Sequence, residues 1–254
     1  MKAEFSIVIP ARMASQRLPG KPLFDIAGLP LLQHVYLQAR KAQATRIVIA
    51  TDHQAIFDAA SAFGAEVIMT SGRHQSGSDR IAECADQLGW GDDHLIVNLQ
   101  GDEPLMPPAC LDQVATLLAE DPAADVASLY WPLDSSDEVA NPNVVKLVLD
   151  ARDYALYFSR AVIPFPRNEP DISAALATGL CWNRHIGLYA YRAGALRAFA
   201  AMTPTPLEDV EKLEQLRFLE SGYRIRMAQA SAPIPAGVDS PEDLQRVRIQ
   251  LEAD

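Results

Sequence analysis

The sequence has few cysteines, no long hydrophobic run and a shortage of positive charge. Its three cysteines, Cys84, Cys110 and Cys181, are widely spaced and form no CxxC pair, which argues against a zinc site or a disulfide framework and favours reduced thiols in a cytoplasmic protein. No run of about 18 apolar residues exists and the first residues do not resemble a signal peptide, so we expect no membrane partner. Lys and Arg number 22 against 33 Asp and Glu, a net charge of −11, which argues against a nucleic-acid partner.

Short β-branched segments alternate with helical segments along most of the chain. The predicted strands are 6–10, 46–51, 66–69, 95–99 and 126–131. Helical spacing of apolar residues lies between them, at 30–43, 53–63, 78–88 and 108–120. The first and fourth strands are almost continuously apolar, which is typical of strands buried on both faces of a parallel sheet. The pattern predicts an α/β fold, a single Rossmann-like domain with a mostly parallel, doubly wound sheet.

The alternation changes between residues 126 and 192. Strand-like segments follow one another there, at 144–149, 154–158 and 185–191, with proline-rich connections. We interpret 126–192 as an antiparallel, β-rich arm inserted into one domain that spans 1–254.

The C-terminal part returns to alternating helix and strand. A helix is predicted at 207–220, with Leu207, Val210, Leu213 and Leu216 as its apolar stripe, followed by a strand at 224–228. The final helix has a well-marked start, because Ser240 is a favoured N-cap, Pro241 suits the first helical position and Asp243 completes a capping box.

The loop after the first strand carries a local cluster of positive charge. In ARMASQRLPGKPL (11–23), Arg12, Arg17 and Lys21 are interleaved with the small residues Ala14, Ser15 and Gly20. Ligands of such sheets bind at the carboxyl ends of the strands. Small residues let the backbone approach a ligand, and the cations bind phosphate oxygens. The loop is neither a Walker A motif nor a GxGxxG fingerprint. It predicts a triphosphate site, with a solvated turn as the alternative.

Acidic residues follow the fourth predicted strand. NLQGDEP (98–104) places Gln100, Asp102 and Glu103 at the same sheet edge as the basic loop. Mg²⁺ is commonly held by one or two carboxylates together with phosphate oxygens and water, so a carboxylate here suits magnesium, although an ordinary turn explains the same residues. Locally, Asp239 is only the residue before an N-cap.

The run IPARMASQRLPGKPL (9–23) resembles the signature loop of sugar-activating nucleotidyltransferases, specifically of the 3-deoxy-manno-octulosonate (Kdo) cytidylyltransferase family. Further segments resemble blocks of that family in the same order: ATDH (50–53), HQSGSDRIAE (74–83), VNLQGDEP (97–104), NPNVVKLVLD (141–150), ALYFSRAVIP (155–164), RHIGLYAYR (184–192), PLEDVEKLEQLR (206–217) and GVDSPEDLQRVR (237–248). The resemblance implies a fold of the nucleotide-diphospho-sugar transferase type, in which the β-rich arm dimerises and contributes to the sugar site.

The resemblance also implies a set of site residues. For the nucleotide these are Ala11, Arg12, Ser15, Arg17, Lys21, Ser76, Gly77, Arg80 and Gln100. For the sugar they are Arg80, Gln100, Arg160, His185, Tyr189, Glu214 and Gln215. It pairs Asp102 with Asp239 around Mg²⁺ and gives catalytic roles to Arg12, Lys21 and Asp102.

Local sequence leaves two of these assignments open. Arg80 lies in the first turn of a helix for which we predict Ser78 as N-cap, so it meets either a bound anion or the carboxylate of Asp79. In 185–191 the alternation predicts a core face and a face that carries His185 and Tyr189. That second face is either a ligand pocket or a solvated surface.

The reaction implied by the resemblance transfers CMP from CTP to Kdo. The C2 hydroxyl of Kdo attacks the α-phosphorus, and CMP-Kdo and pyrophosphate form for lipopolysaccharide synthesis, in a Gram-negative cytoplasm and in a homodimeric enzyme. The sequence indicates no general base. Two alternatives remain open: a relative acting on sialic acid or 8-amino-Kdo, and a catalytically silent nucleotide-binding module.

Overall fold

The computed structural model describes residues 3–14, 18–74 and 76–253. Its strands are β1 (Phe5–Ala11), β2 (Asp25–Ile26), β3 (Leu29–Pro30), β4 (Arg46–Thr51), β5 (Glu66–Met69), β6 (Leu95–Asn98), β7 (Val126–Leu133), β8 (Lys146–Leu149), β9 (Ala155–Ser159), β10 (Trp182–Arg192) and β11 (Ile225–Gln229). Each strand predicted from the sequence is present, with its ends displaced by three residues at most.

The helices fill the connections between the strands. They are α1 (Leu31–Ala39), α2 (Gln54–Ala62), α3 (Gly77–Gln87), α4 (Pro108–Glu120), α5 (Ser136–Ala140), α6 (Ile172–Ala177), α7 (Ala193–Ala201), α8 (Pro206–Glu211), α9 (Gln215–Glu220) and α10 (Pro241–Ala253). Within the described part of the chain, no helix is both long and apolar enough to span a membrane.

The main sheet confirms the predicted doubly wound α/β fold. Its strands lie in the order β11-β7-β10-β6-β1-β4-β5, and all neighbours are parallel except β10, which runs antiparallel to β6 and β7. Helices α1, α2 and α4 pack on one face against Ile7 and Ile9, and α3 and α7 pack on the other against Val8. All residues of β1 are buried because β1 has a neighbouring strand on each side and helices on both faces.

The strand order reverses at β1. From β1 the chain passes to β4 and β5 on one side and then returns to β6 on the other side. The loops that leave the carboxyl ends of β1 and β6 therefore diverge and leave a crevice, which is where open α/β sheets bind ligands.

The region 126–192 is only partly outside the main sheet. Its first strand, β7, and its last strand, β10, pair along eight residue positions within that sheet. Strands β8 and β9 form the extension, which joins the sheet through the pairing of β8 with β10. Strands β8 and β9 lie off the main strand path, between β7 and β10 in the chain, and the interpretation of 126–192 as an inserted arm stays a prediction. Its role in dimerisation stays a prediction.

The helix predicted at 207–220 is wrong, because the chain forms two short helices instead. Lys212 adopts a left-handed conformation (φ 54°, ψ 49°) that ends α8, and α9 starts at Gln215. The predicted apolar stripe is divided accordingly. Leu213 and Leu216 are buried, whereas Leu207 and Val210 are 40% and 83% exposed.

Two predicted helix starts have different outcomes. The start of α10 is confirmed, since the amide of Asp243 donates to Ser240 Oγ and the amide of Ser240 donates back to the Asp243 carboxylate. The predicted N-cap of α3 is wrong, because Ser76 caps that helix in a reciprocal pair with Asp79. Ser78 instead lies within the first turn, where its side chain is free to contact other segments.

Candidate active site

A cleft of about 650 Å³ opens at the carboxyl ends of β1 and β6. Most of the site residues predicted from the sequence line it: Ala11, Arg12, Lys21, Ser76, Gly77, Arg80, Gln100, Asp102, His185, Tyr189, Glu214, Gln215 and Asp239. These residues come from segments spread over the whole chain, and the sheet topology brings them to a single opening. Two predicted residues, Ser15 and Arg17, lie outside the described residues.

Lys21 joins two carboxylates that are far apart in the sequence. Its Nζ atom donates to Asp102 Oδ2 at 2.6 Å, to Asp239 Oδ1 at 3.2 Å and to the carbonyl oxygen of Val238 at 2.7 Å. The side chain of Lys21 is only 11% exposed, whereas those of Asp102 and Asp239 are 29% and 53% exposed. The ammonium group is thus enclosed by oxygen atoms, and the carboxylates remain accessible from the cleft.

Gly237 allows the two acidic segments to meet. A β-carbon at this position would lie 3.0 Å from the carbonyl oxygen of Asp102 and 3.1 Å from Glu103 Oε1. The next amide, that of Val238, donates to the same carbonyl of Asp102 at 2.8 Å. Because no side chain separates the two backbones, Asp239 reaches the ammonium group that Asp102 also contacts.

The paired carboxylates suit a hard divalent cation. The described residues contain no group of three or more His, Cys, Asp and Glu side chains arranged to hold a metal ion. Mg²⁺ does not require such a group, since it is often bound by one or two carboxylates together with water and substrate phosphates. The oxygens of Asp102 and Asp239 already converge on one positive charge, and the donor set therefore fits magnesium accompanied by a triphosphate.

Glu103 is a cleft residue for which no specific role was predicted from the sequence. Burial raises its pKa to about 7, and the negative charges of Asp102 and Asp239 act in the same direction. Its position in NLQGDEP, beside the predicted metal ligand Asp102, was the feature of the sequence that could have identified it as a site residue. The burial of its side chain depends on the fold. Three carboxyl groups therefore line this edge of the cleft, two of them paired with Lys21.

The loop after β6 packs directly against the end of β1. A β-carbon on Gly101 would lie 2.9 Å from the carbonyl oxygen of Pro10, so only glycine fits this contact without a shift of the backbone. On the opposite side, a β-carbon on Gly77 would lie 3.4 Å from Pro10 and 3.7 Å from Gln100 Oε1. These close approaches bring the first turn of α3 and the side chain of Gln100 to the same wall of the cleft.

Arg80 lines the cleft, but its guanidinium group already has partners. It is 3% exposed, its Nη2 donates to Asp52 Oδ2 at 2.7 Å, and its Nη1 donates to Thr70 Oγ1. From the sequence, Asp79 was one candidate for the charge that compensates Arg80. The ion-pair partner is Asp52, because the Asp79 carboxylate accepts from the Ser76 amide in the capping box of α3.

Strand β10 and the start of α9 form the other wall. The alternation predicted for β10 is confirmed, since Ile186, Leu188 and Ala190 lie in the core while His185 and Tyr189 line the cleft. The centroids of the His185 and Tyr189 rings are 5.3 Å apart.

The start of α9 adds two polar side chains to this wall. Gln215 Nε2 is 3.4 Å from His185 Nδ1. Glu214 faces the cleft, and Ser78 Oγ donates to it at 3.4 Å. Desolvation by the surrounding residues raises the pKa of Glu214, and the nearby charge of Asp79 raises it further.

His185 gives a pH dependence of stability. Burial lowers its pKa to about 3, below the value of about 6.5 for an unfolded histidine, so unfolding takes up a proton between these two pH values. Stability is therefore lost as the pH falls below about 6.5. The free energy of unfolding is measured by urea titration at pH 7 and at pH 5.5. We expect it to fall by about 1 kcal/mol less in His185→Gln than in the wild type, because the variant lacks this proton uptake. Equal losses in the two proteins would contradict this assignment.

Arg160 is the predicted sugar residue that the structure does not bring to the cleft. Its Nε donates to the carbonyl oxygen of Glu211 at 2.7 Å and its Nη1 to that of Pro142 at 3.0 Å. Its guanidinium group therefore bonds to backbone. A direct contact with a sugar stays a prediction that this geometry does not support.

Other cleft residues were missed by sequence reasoning. They include His74, Ser78, Asn98, Lys212 and Leu213. Asn98 is the last residue of β6 and is 2% exposed, and its Oδ1 atom has no hydrogen-bond partner. A polar residue at the carboxyl end of a buried strand was the available signal for Asn98.

The fold and the cleft together define a class of protein, the α/β proteins that bind phosphorylated ligands at a topological switch point. A family model described as Cytidylyltransferase matches residues 6–225. A 3-deoxy-manno-octulosonate cytidylyltransferase of Thioalkalivibrio sulfidiphilus is 52% identical over 98% of this chain and 99% of its own. One from Pseudomonas syringae pv. tomato is 52% identical over the full length of both chains.

A solved structure agrees with these sequence relatives. It is that of a CMP:2-keto-3-deoxy-manno-octonic acid synthetase complexed with CTP, which superposes with a TM-score of 0.88 at 39% identity and covers 99% of both chains. This chain belongs to the cytidylyltransferase family and, within it, to the 3-deoxy-manno-octulosonate cytidylyltransferases.

Proposed function

We propose that this protein transfers the CMP group of CTP to Kdo and releases pyrophosphate. Relatives named 3-deoxy-manno-octulosonate cytidylyltransferase match the chain over 98% and 100% of its length. The observation that carries the proposal is the contact of Lys21 with Asp102 and Asp239 at the edge of the cleft. A cation and two carboxylates at one place provide charges of both signs, which a triphosphate and its divalent ion require.

The nucleotide binds, in this proposal, between the loop after β1 and the first turn of α3. Arg12 and Lys21 contact the phosphates, with Ser15 and Arg17 of the same loop as further predicted contacts. The remaining predicted contacts are Ala11, Ser76, Gly77, Arg80 and Gln100, which line the same part of the cleft. Because cationic groups held in a partly water-excluded site stabilise developing negative charge strongly, Arg12 and Lys21 would act on the phosphates during transfer.

Asp102 and Asp239 would hold Mg²⁺. When bound, the ion neutralises phosphate charge and eases loss of the proton from a coordinated hydroxyl group. Glu103 lies beside this pair in the cleft, with its pKa raised to about 7 by burial and by the charges of Asp102 and Asp239.

Kdo binds, in this proposal, against β10 and α9. His185, Tyr189, Glu214 and Gln215 line this end of the cleft, with Arg80 and Gln100 between the two substrates. The side chains offer both donors and acceptors, which suits a polyhydroxylated acid. Arg160 acts here through the segment that it holds.

The reaction is a direct displacement. The oxygen of the Kdo C2 hydroxyl bonds to the α-phosphorus of CTP as the bond from that phosphorus to the β-phosphate oxygen breaks, and the hydroxyl proton is released. Reactions of this type depend mainly on positioning and charge stabilisation. The arrangement of cations and carboxylates at one cleft supports this route without a covalent intermediate.

A pyrophosphate-release assay tests the proposal. The protein is incubated with CTP and Mg²⁺ and with Kdo, N-acetylneuraminate or no sugar, and each arm is repeated with EDTA. We expect pyrophosphate release in the arm that contains Kdo and in neither of the other two arms. We expect EDTA to abolish that release. Release only with N-acetylneuraminate would identify a sialic-acid cytidylyltransferase. Release with neither sugar would favour a silent nucleotide-binding module.

Two broader features belong to the same proposal. The extension formed by β8 and β9 exposes Leu156 of β9, and Phe165 is exposed in the segment that follows. These apolar side chains support a homodimer formed through this extension. Light scattering of the purified protein would give its molar mass and so distinguish a dimer from a monomer.

The proposed product, an activated Kdo, is used in lipopolysaccharide synthesis, which is consistent with a cytoplasmic enzyme.

A further inference from the structure

Glu211 lies outside the cleft, yet its side chain and its backbone are both held by the end of β9. Its carboxylate accepts from Ser159 Oγ at 2.6 Å and from the backbone amide of Arg160 at 2.9 Å. Its own carbonyl oxygen accepts from Arg160 Nε at 2.7 Å. Together with a hydrogen bond between the Tyr157 hydroxyl and the Glu211 side chain, these contacts fix the last residue of α8, and hydrogen bonds to a carboxylate are the stronger kind.

The four residues after Glu211 enter the cleft. Lys212, Leu213, Glu214 and Gln215 all line it. Lys212 adopts the left-handed conformation, which is unfavourable for a residue with a side chain and persists only where surrounding contacts determine the backbone. Arg160 Nη2 also reaches the carbonyl oxygen of Lys212, at 3.5 Å. The direction in which Glu214 and Gln215 point is thus set at the turn that Glu211 begins.

The end of β9 is itself firmly held. Lys146 has no exposed surface, and its ammonium group donates to the carbonyl oxygens of Asn141, Val144 and Arg160. The guanidinium group of Arg160 extends from the same point to Pro142. Because these donors link β8, β9 and the segment after α5, Glu211 bonds to a rigid element.

We propose that Glu211 is a positioning residue that holds the 212–215 turn and thereby sets the sugar end of the cleft. The proposal rests on the proposed function, in which Glu214 and Gln215 contact the acidic sugar. The nucleotide end is built from the loops after β1 and β6 and from α3, which Glu211 does not touch. Disturbing Glu211 therefore affects the two substrates unequally, whereas a general loss of stability would affect both.

Glu211→Gln tests this role with little change in size. The amide keeps one acceptor oxygen for the Arg160 amide and replaces the other with an NH₂ group. The bond to Ser159 Oγ can then form only with the NH₂ group donating, and the negative charge that strengthens the side-chain bonds of Glu211 is lost. Ser159→Ala is a second variant that removes one bond without leaving an unpaired charge. Glu120→Gln is the matched control, since Glu120 is an exposed glutamate at the last position of α4 and does not line the cleft.

Two readouts are measured on each variant: amide hydrogen exchange of the whole chain, and separate KM values for CTP and for Kdo. For Glu211→Gln we expect exchange at 212–216 to accelerate about tenfold or more, with little change elsewhere. We expect the KM for Kdo to rise about tenfold while that for CTP changes less than about twofold. Ser159→Ala shifts both readouts in the same direction by less, and Glu120→Gln matches the wild type.

The outcomes separate the positioning role from the proposed function. Unchanged exchange at 212–216 in Glu211→Gln would overturn the inference. Equal increases in both KM values, or faster exchange throughout the chain, would also overturn it and leave Glu211 a purely structural residue. If the wild type shows no turnover with Kdo, the proposed function fails, while the exchange data still decide whether Glu211 holds the turn.

Discussion

Replacing Lys21 with alanine lowers kcat/KM for CTP by about 10²-fold or more, as expected when a cationic donor to a developing anion is lost. Lys21 is the side chain whose ammonium group contacts both carboxylates of the site. Its removal takes away the positive charge proposed to contact the phosphates, and it also releases the contact between the loop after β1 and the segment at Val238. Steady-state measurements of pyrophosphate release at limiting CTP give the value.

The matched control for this variant is Lys41→Ala. Lys41 is exposed after α1 and does not line the cleft, so its removal changes the net charge equally and leaves the site intact. We expect this control to retain wild-type kcat/KM. Near-native turnover of Lys21→Ala at limiting CTP would show that the phosphates are held by other groups.

The second large effect is expected from the paired carboxylates. Asp102→Asn and Asp239→Asn each lower kcat/KM by about 10²- to 10³-fold, because a carboxylate that holds a divalent cation contributes several kcal/mol to transition-state stabilisation. Both substitutions keep the size of the side chain, so the loss reports the charge. The double variant falls little below either single variant, since the two side chains are proposed to act on one ion.

Two measurements accompany these substitutions. Raising the Mg²⁺ concentration restores part of the activity of each single variant, because a weaker site is filled at higher concentration. The charge-matched control is Asp93→Asn, which changes an exposed aspartate in the turn before β6. We expect this control to keep wild-type kinetics. An Asp239→Asn variant with wild-type rates and metal dependence would remove Asp239 from the proposed site.

Much of the fold could be predicted from local patterns. The apolar segments at 6–10 and 95–99 are buried strands on either side of the switch point, and the capping box at Ser240 starts the last helix where expected. These features depend on neighbouring residues in the chain. The prediction of one helix at 207–220 was wrong because the backbone around the left-handed Lys212 is held by Arg160, about 50 residues earlier in the chain.

The candidate site was predicted unevenly for the same reason. Residues in loops that follow strands, such as Arg12 and Asp102, could be identified from position and residue type. Arg80 could be placed near the cleft, but its partner Asp52 lies 28 positions away and no local pattern pairs them. The sugar contact of Arg160 stays a prediction, and its hydrogen bonds to the carbonyl oxygens of Glu211 and Pro142 are contacts that no local pattern indicates.

By itself, the sequence determined which segments are strands and helices and which loops carry charge, because these properties follow from the periodicity and chemistry of neighbouring residues. Only the tertiary structure decided which charges meet. Lys21 lies 81 positions from Asp102 and 218 from Asp239, and their contact depends on the strand order and on the close approach of two backbones at Gly237. Electrostatic interactions weaken with distance in space and not along the chain, so the pairing of these groups exists only once the sheet has formed.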